Sequence, residues 1–273
     1  MTASTDTNRI DQSFSRLRAA GRKALIAYIT AGYPAPTRTV DIMHALVAGG
    51  ADILELGIPF SDPMADGPVI QRASEAALAA GMRTGKVFEQ VREFRQKDQT
   101  TAIVLMTYLN PIEVMGYVRF AEQAASAGVD GVLVVDLPPE EADALRGELT
   151  GRRLAEIFLA SPTTDAARLD LIRENASGFV YYVSVKGVTG KGQIDTADVS
   201  RQVEKLRADS KLPVGVGFAV RDAATAAQLA GVCDGVVVGS AIVERAGADV
   251  ASDRELSAFV KSLRDAMDQA VGA

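Results

Sequence analysis

The chain has 273 residues, of which 48% are hydrophobic and 23% are charged, and its formal net charge is -6. This composition is sufficient for one large hydrophobic core, and a diffuse acidic balance argues against nucleic acid or an anionic membrane as the main partner. The single cysteine, Cys233, excludes an internal disulfide framework, and the single histidine, His44, excludes a multi-histidine metal centre. We therefore expect carboxylates, tyrosines and backbone amides to carry any chemistry.

The amino-terminal segment MTASTDTNRIDQSF is polar and does not have the pattern of a signal peptide. No stretch approaches the roughly 20 consecutive apolar residues that a membrane-spanning helix needs. These features predict a soluble protein of the cytoplasm.

Eight short apolar runs alternate with segments of helical period along the chain. The runs predict strands at 24–30, 52–56, 101–107, 131–135, 155–160, 179–183, 214–218 and 235–238. Helices are predicted between them at 36–48, 69–80, 112–127, 140–149, 165–174, 199–208 and 222–230. Two further helices, at 8–20 and 84–97, lie outside this repeat, and the first of them is expected to cap the bottom of the fold.

Strands that alternate with helices indicate right-handed βαβ units and a parallel sheet. Eight units in one chain predict an α/β fold, a (β/α)8 TIM barrel with an extra N-terminal helix, in which residues 1–273 form a single domain. The main alternative is a doubly wound sheet. It is less favoured, because AGYPAPTR, and not a glycine-rich G-x-G-x-x-G turn, follows the first predicted strand.

The most informative segment follows the second predicted strand and carries two carboxylates. Glu55 lies in the apolar run ADILEL, at the carboxyl end of a buried strand, where ligands bind in α/β barrels. Burial there disfavours the charged form, so Glu55 is expected to act as a proton donor near neutral pH. Asp66 lies at the far end of the loop 57–68, GIPFSDPMADGP, and is expected to stay ionised. Together the two groups predict acid–base chemistry on a neutral ring.

Each carboxylate also has a simpler structural explanation. Glu55 could pair with a cation, although no lysine or arginine ends a neighbouring predicted strand. Asp66 could cap the next helix, because ADGP followed by an apolar run is a typical helix start. The occurrence of both carboxylates in one βα unit favours the catalytic interpretation.

Other polar or small residues follow the predicted strands and should converge on the same mouth of the barrel. They are Tyr28 and Thr30, Tyr108 and Asn110, Asp136, Ser161 and Thr163, Ser184, Gly217 and Phe218, and Gly239 and Ser240. Tyr181 and Tyr182 are neighbours on one strand, so one faces the lumen and the other faces the helices, and the sequence does not decide between them.

Two features near the carboxyl-terminal end suggest an anion site and a lid. The segments GVGFAV and VVVGSAI join the last two strands to helices, and backbone N–H groups at such turns commonly bind phosphate in barrels. The alternative is that Gly217 and Gly239 only permit tight turns. The long polar loop 184–196 contains VTGKGQI and is expected to be a lid from which Thr189 reaches the carboxylates, or otherwise an ordinary mobile loop.

Four segments in this order and spacing closely resemble the tryptophan synthase alpha subunit family. They are LELGIPFSDPMADGPVIQ, LMTYLNPI, SVKGVTG and VVVGSAIV, and the resemblance extends from about Phe14 to about Ala266. It implies a lyase of tryptophan biosynthesis that cleaves indole-3-glycerol phosphate into indole and glyceraldehyde 3-phosphate by a retro-aldol reaction. It also implies that no metal or organic cofactor is required.

The resemblance assigns roles residue by residue. Glu55 matches the general acid/base that protonates indole C3, and Asp66 matches the carboxylate that accepts a hydrogen bond from the indole N–H. Tyr181 matches the tyrosine beside the glutamate, and Tyr28 is expected to contact substrate from its place at the mouth. The remaining matches are Thr189 in the lid and four phosphate contacts, Gly190, Phe218, Gly239 and Ser240. Ala219 stands where the family often has a second glycine, so its backbone freedom at the phosphate is reduced.

The family works as a complex of two alpha chains and two pyridoxal-phosphate-dependent beta chains. The resemblance therefore implies a beta-subunit partner, with loop 59–62 and the region 110–111 at the interface. Two alternatives stay open from the sequence. One is a free-standing lyase that releases indole without a partner, and the other is a non-catalytic phosphate-binding barrel that regulates one.

Overall fold

The computed structural model of the chain describes residues 8–183, 195–208, 210, 212–217, 220–248 and 252–272. In these residues nine parallel strands make one sheet. They are β1 (Ala24–Thr30), β2 (Ile53–Gly57), β3 (Ala102–Thr107), β4 (Gly131–Val134), β5 (Ala155–Ile157), β6 (Leu159–Ala160), β7 (Val180–Val183), β8 (Val214–Gly217) and β9 (Gly235–Val238).

The strands follow the order β5-β4-β3-β2-β1-β9-β8-β7-β6, which is that of a nearly closed barrel. The predicted barrel is confirmed, but the predicted fifth strand is two short strands. The cause is a change of partner at Phe158: β5 pairs with β4 as far as Ile157, and β6 pairs with β7 from Leu159 onward. The Tyr181 N–H already donates to the Phe158 carbonyl at 3.0 Å, so the segment Ala155–Ala160 connects both ends of the sheet.

Twelve helices surround the sheet in the described part of the chain. They are α1 (Arg9–Ala19), α2 (Thr39–Ala48), α3 (Pro68–Ala79), α4 (Thr84–Arg95), α5 (Leu109–Met115), α6 (Tyr117–Ala127), α7 (Asp143–Thr150), α8 (Ala166–Asn175), α9 (Thr196–Arg207), α10 (Ala223–Ala230), α11 (Ser240–Ala246) and α12 (Asp253–Val271). Short 3-10 turns occupy Pro36–Arg38 and Pro139–Glu141. None of the described helices is long and apolar enough to cross a membrane.

Two helix predictions need correction. The single helix predicted at 112–127 is wrong: α5 and α6 are separated by Gly116, whose φ of 83° lies in the left-handed region and ends the first helix. The last helix, α12, was not predicted from the sequence. Its start is a capping box, in which Ser252 accepts from the Glu255 N–H and the Glu255 carboxylate accepts from the Ser252 N–H.

The core has two layers because side chains alternate along each strand. One set, including Leu25, Ala27 and Leu54, packs outward against the helices. The other set points into the lumen, where Ile26 and Ile53 pack against Ile10 and Phe14 of α1. The N-terminal helix therefore closes the bottom of the barrel, as its apolar stripe predicted.

Candidate functional site

The alternation that fills the lumen also places the polar residues at its top. Ile26, Ile53, Val104 and Phe179 are lumen residues of the lower layer. Two positions further along the chain stand Tyr28, Glu55, Met106 and Tyr181, which the period of two directs to the same side. Tyr28 and Glu55 are direct neighbours in the register of β1 and β2. The open question of the tyrosine pair is thus settled, since Tyr181 faces the lumen and Tyr182 packs outward.

These residues line a cavity of about 590 Å³ at the carboxyl ends of the strands. Its walls are mostly apolar, and its polar groups include Glu55, Asp66 and Arg168. A second cavity, of about 300 Å³, lies toward β8 and α11. The two cavities share the lining residues Gly67, Ile70, Tyr181, Val183, Val237 and Gly239. They therefore form one cleft with a wide end and a narrow end.

Glu55 is a buried carboxyl group with no hydrogen-bond partner. Only 1% of the residue is exposed, and neither carboxyl oxygen has a partner within the described residues. Burial, with a smaller contribution from the charge of Asp66, raises the pKa of Glu55 to about 8. The group therefore holds its proton at neutral pH and faces a cavity to which it can deliver that proton.

Asp66 lies at the rim of the cavity and is held by a tyrosine. The Tyr108 hydroxyl donates to Asp66 Oδ2 at 3.1 Å and accepts from the Ala65 N–H at 3.0 Å. Burial raises the pKa of Asp66, and the hydrogen bond from Tyr108 opposes that increase. Asp66 is not the cap of α3: Gly67 has the N-cap position and Pro68 begins the helix.

The contact between Tyr108 and Asp66 was not predicted. Its position directly after the third strand placed Tyr108 at the mouth, without a partner. The order of the strands could have indicated this contact. Because β3 pairs with β2, the residue after β3 lies next to the loop that follows β2.

Two glycines make room for the aromatic walls of the cavity. A Cβ atom on Gly57 would lie 2.3 Å from the Tyr28 hydroxyl oxygen, and one on Gly217 would lie 2.3 Å from that of Tyr181. The Tyr28 hydroxyl is also 3.2 Å from Thr30 Oγ1. A side chain at either strand end would therefore collide with a tyrosine, and glycine leaves the space that each ring occupies.

The narrow end of the cleft is where the sequence predicted phosphate. Gly217 ends β8, Gly239 follows β9, and Ser240 is the first residue of α11. Arg221 also lines this end. The helix predicted from 222 begins at Ala223, after Asp222, whose side chain accepts from the Thr225 N–H. Thr189, Gly190, Phe218, Ala219 and residues 184–194 of the expected lid lie outside the described residues.

Of the other residues that the sequence singled out, Asp136 and Ser161 line the wide end of the cleft, whereas His44 and Cys233 lie away from it. His44 stacks on Phe94 with ring centroids 4.6 Å apart, and Cys233 is buried. Across the residues that the structure describes, no group of three or more histidine, cysteine, aspartate or glutamate side chains is arranged to hold a metal ion.

Comparison with known proteins gives the same family throughout. The family model described as tryptophan synthase alpha chain matches residues 14–271. The tryptophan synthase alpha chain of Laribacter hongkongensis is 59% identical over 264 residues, covering 96% of this chain and 99% of the relative. That of Nitrosococcus oceani is 54% identical over 265 residues, covering 96% and 98%.

Solved structures agree with these relatives. Tryptophan synthase subunit alpha from Legionella pneumophila str. Paris has a TM-score of 0.90 and 46% identity, with 96% of this chain and 99% of that chain covered. An aminoacrylate-bound form of tryptophan synthase from M. tuberculosis has a TM-score of 0.86 and 37% identity, with 96% and 100% covered.

Proposed function

This chain belongs to the tryptophan synthase alpha chain family, and from that membership and the form of its cleft we infer how it acts. It is a carbon–carbon lyase of tryptophan biosynthesis that cleaves indole-3-glycerol phosphate into indole and glyceraldehyde 3-phosphate. The observation that supports this chemistry most directly is Glu55, a buried carboxyl group without a partner in the described structure that faces a mostly apolar cavity.

The proposed reaction begins with proton transfer from Glu55 to C3 of the indole ring. The C2–N1 unit of the ring then carries positive charge, and Asp66, by accepting the N1–H hydrogen bond, stabilises that charge. The Glu55 carboxylate left by this transfer then accepts the proton of the hydroxyl group on the side-chain carbon next to C3, and that carbon becomes the aldehyde carbonyl. The bond between that carbon and C3 breaks, and its electrons return to the ring. Both carboxylates thus stabilise the same transition state.

Substrate binding is proposed along the length of the cleft. The ring lies in the wide end, against Tyr28 and Tyr181. The phosphate lies at the narrow end, near the backbone of Gly239 and the Ser240 hydroxyl. Contacts from Thr189, Gly190, Phe218 and Ala219 stay predictions that rest on the resemblance alone.

Family membership implies a beta-chain partner, and we propose that the chain assembles with it as two alpha and two beta chains. Three large apolar residues are exposed in the described structure: Met64 by 79%, Val114 by 82% and Val118 by 50%. Met64 lies in the loop after β2, and Val114 and Val118 lie on α5 and α6, after β3. Exposed apolar side chains on the elements that follow β2 and β3 suit a partner that receives indole at the mouth of the barrel. We also propose a cytoplasmic location, as expected for a biosynthetic enzyme of this kind.

The test is indole release from indole-3-glycerol phosphate by the purified chain, with and without a beta chain. Slow release alone and strong stimulation by the partner are expected. Glu55→Gln should lose nearly all activity, because it keeps the size of the side chain and removes the proton. Glu156→Gln is the matched control, since Glu156 is similarly buried and has no hydrogen-bond partner in the described structure but does not line the cleft.

Other outcomes would favour the alternative functions or contradict the role of Glu55. Fast release without the beta chain would indicate a free-standing lyase. No release under either condition would indicate a non-catalytic barrel. Equal activity of Glu55→Gln and the wild type would contradict the role of Glu55.

A further inference from the structure

Tyr108 makes three contacts with the loop that carries Asp66. Its hydroxyl accepts from the Ala65 N–H at 3.0 Å and donates to Asp66 Oδ2 at 3.1 Å. Its ring packs against Phe60, with ring centroids 5.2 Å apart. Tyr108 itself is only 3% exposed. The residue that follows β3 therefore fixes both the backbone and the carboxylate of the neighbouring loop.

The direction of the two hydrogen bonds is what makes the contact specific. Because the Ala65 N–H can only donate, it occupies a lone pair of the Tyr108 oxygen, and the phenolic proton points to Asp66. Burial and the charge of Asp66 hold the pKa of Tyr108 far above its ordinary value, so the phenol stays protonated as a donor. A relay from N–H through O–H to carboxylate strengthens each of its bonds.

Asp66 depends on this donor because no cation pairs with its carboxylate among the described residues. No lysine or arginine of the described residues forms an ion pair with Asp66, and Tyr108 is the sole hydrogen-bond partner of its carboxylate in the described structure. The titratable groups close enough for the charge of Asp66 to raise their pKa values are Glu55 on β2, Tyr28 on β1 and Tyr181 on β7, in addition to Tyr108. None of these groups is a cation. The hydrogen bond uses Oδ2 and leaves Oδ1 for a ring N–H.

We propose that Tyr108 is a positioning residue for the cleavage reaction, which keeps Asp66 ionised and aims it at the nitrogen of the substrate ring. This inference rests on the proposed role of Asp66. Tyr108 acts through Asp66 and does not need to touch the reacting atoms. It also joins the reactive carboxylate to α5, since Leu109, the next residue, begins that helix.

The first test is Tyr108→Phe, which keeps the ring against Phe60 and removes only the hydroxyl. We expect kcat to fall by about 10- to 100-fold while KM changes by less than about threefold, because a misplaced Asp66 weakens the transition state more than the bound substrate. Activity falls at acidic pH as Asp66 is protonated. Without the donor the pKa of Asp66 rises, so the acidic limb of the pH profile should move to higher pH by roughly half to one unit.

Tyr182→Phe is the matched control. Tyr182 is 1% exposed, packs outward, and its hydroxyl has no partner within the described residues. Its replacement removes the same atom from a buried tyrosine outside the cleft and should leave both kcat and the acidic limb unchanged. A general loss of rigidity would affect both variants alike.

Two further measurements decide the matter even if Tyr108→Phe folds poorly. Replacing Tyr108 by 3-fluorotyrosine strengthens the donor and should move the acidic limb to lower pH. In an Asp66→Asn background, Tyr108→Phe should cost less than about threefold, because the two residues act as one unit. An unmoved acidic limb in both Tyr108 variants, or equal losses from Tyr108→Phe with and without Asp66, would overturn the inference. Failure of the wild type to release indole would instead overturn the proposed function.

Discussion

Glu55 and Glu156 are both buried carboxyl groups whose oxygens have no partner in the described structure, yet only one can act on a ligand. Glu55 follows Ile53 on the lumen side of β2 and lines the cavity. Glu156 lies between Ala155 and Ile157, which face the lumen, so it points outward, toward the charge of Arg146. Position on the strand, not burial, decides which of the two can transfer a proton to a substrate.

Both groups predict a measurable dependence of stability on pH. Burial raises the pKa of Glu55 to about 8 and that of Glu156 to about 7, from an ordinary value of 4.5. Between pH 4.5 and these values the folded chain binds more protons than the unfolded chain, so its stability falls as pH rises.

Glutamine at position 55 or 156 does not titrate, so it removes this loss of stability at high pH. Glu55→Gln and Glu156→Gln should each exceed the wild type in free energy of unfolding at pH 8.5, by about 2–4 kcal/mol, and show little gain at pH 4. Denaturant titration at the two pH values measures the difference. A gain that is equal at both pH values would mean that the carboxyl group does not titrate in this window. The chain thus retains in Glu55 a group that costs stability where the proposed chemistry needs it.

At the scale of the elements, the pairing of β1 with β2 sets the shape of the cavity. Gly57 ends β2 opposite Thr30, and its missing side chain is the space that the Tyr28 ring occupies. An added Cβ atom would lie 2.8 Å and 2.9 Å from two ring carbons of Tyr28, in addition to its contact with the hydroxyl. The backbone of Gly57 is held by its pairing with β1, so the Tyr28 ring must move instead.

Gly57→Ala should therefore displace Tyr28 into the cavity. We expect overpacking to lower the free energy of unfolding by about 1–3 kcal/mol. We also expect a higher KM for the substrate, because the displaced ring occupies part of the binding space. Gly85→Ala is the control: Gly85 lies in α4, and an added Cβ atom meets nothing within 4 Å. A wild-type KM in Gly57→Ala would contradict the proposed contact of Tyr28 with the substrate ring.

The elements also show what the sequence could predict. The alternation of apolar runs and helical segments was sufficient to predict the barrel. It was also sufficient to single out Glu55, because a carboxylate is rare in a strand that is buried on both faces. It could not predict the break at Phe158, since a change of partner depends on the whole sheet. It could not predict that Tyr108 holds Asp66, because that contact joins residues 42 positions apart. It also could not predict that Asp66 is partly buried at the rim of the cavity.

At the scale of the whole molecule, the two ends of the barrel have different tasks. The bottom is closed by α1 and by ion pairs that fasten α12. Arg264 donates to Asp52 at 3.1 Å and to the Lys23 carbonyl at 2.8 Å, and Arg22 bonds Asp268 at 2.9 Å. The top carries the cleft and the exposed apolar residues Met64, Val114 and Val118. Because the bottom of the barrel is held rigidly, the loops at its top can differ in sequence and bind ligands or partners without loss of the fold.

The exposed apolar residues predict where the proposed beta chain binds. Val114 is 82% exposed and lines neither cavity. Because a charge at an apolar interface is costly, Val114→Asp should weaken binding of the beta chain by about tenfold or more and reduce the stimulation of indole release by that chain. Indole release without the partner should stay at the wild-type rate. Ser15→Asp adds the same charge on an exposed position of α1, at the opposite end of the barrel, and should bind normally. Equal affinity of the two variants in a titration by calorimetry would place the interface elsewhere.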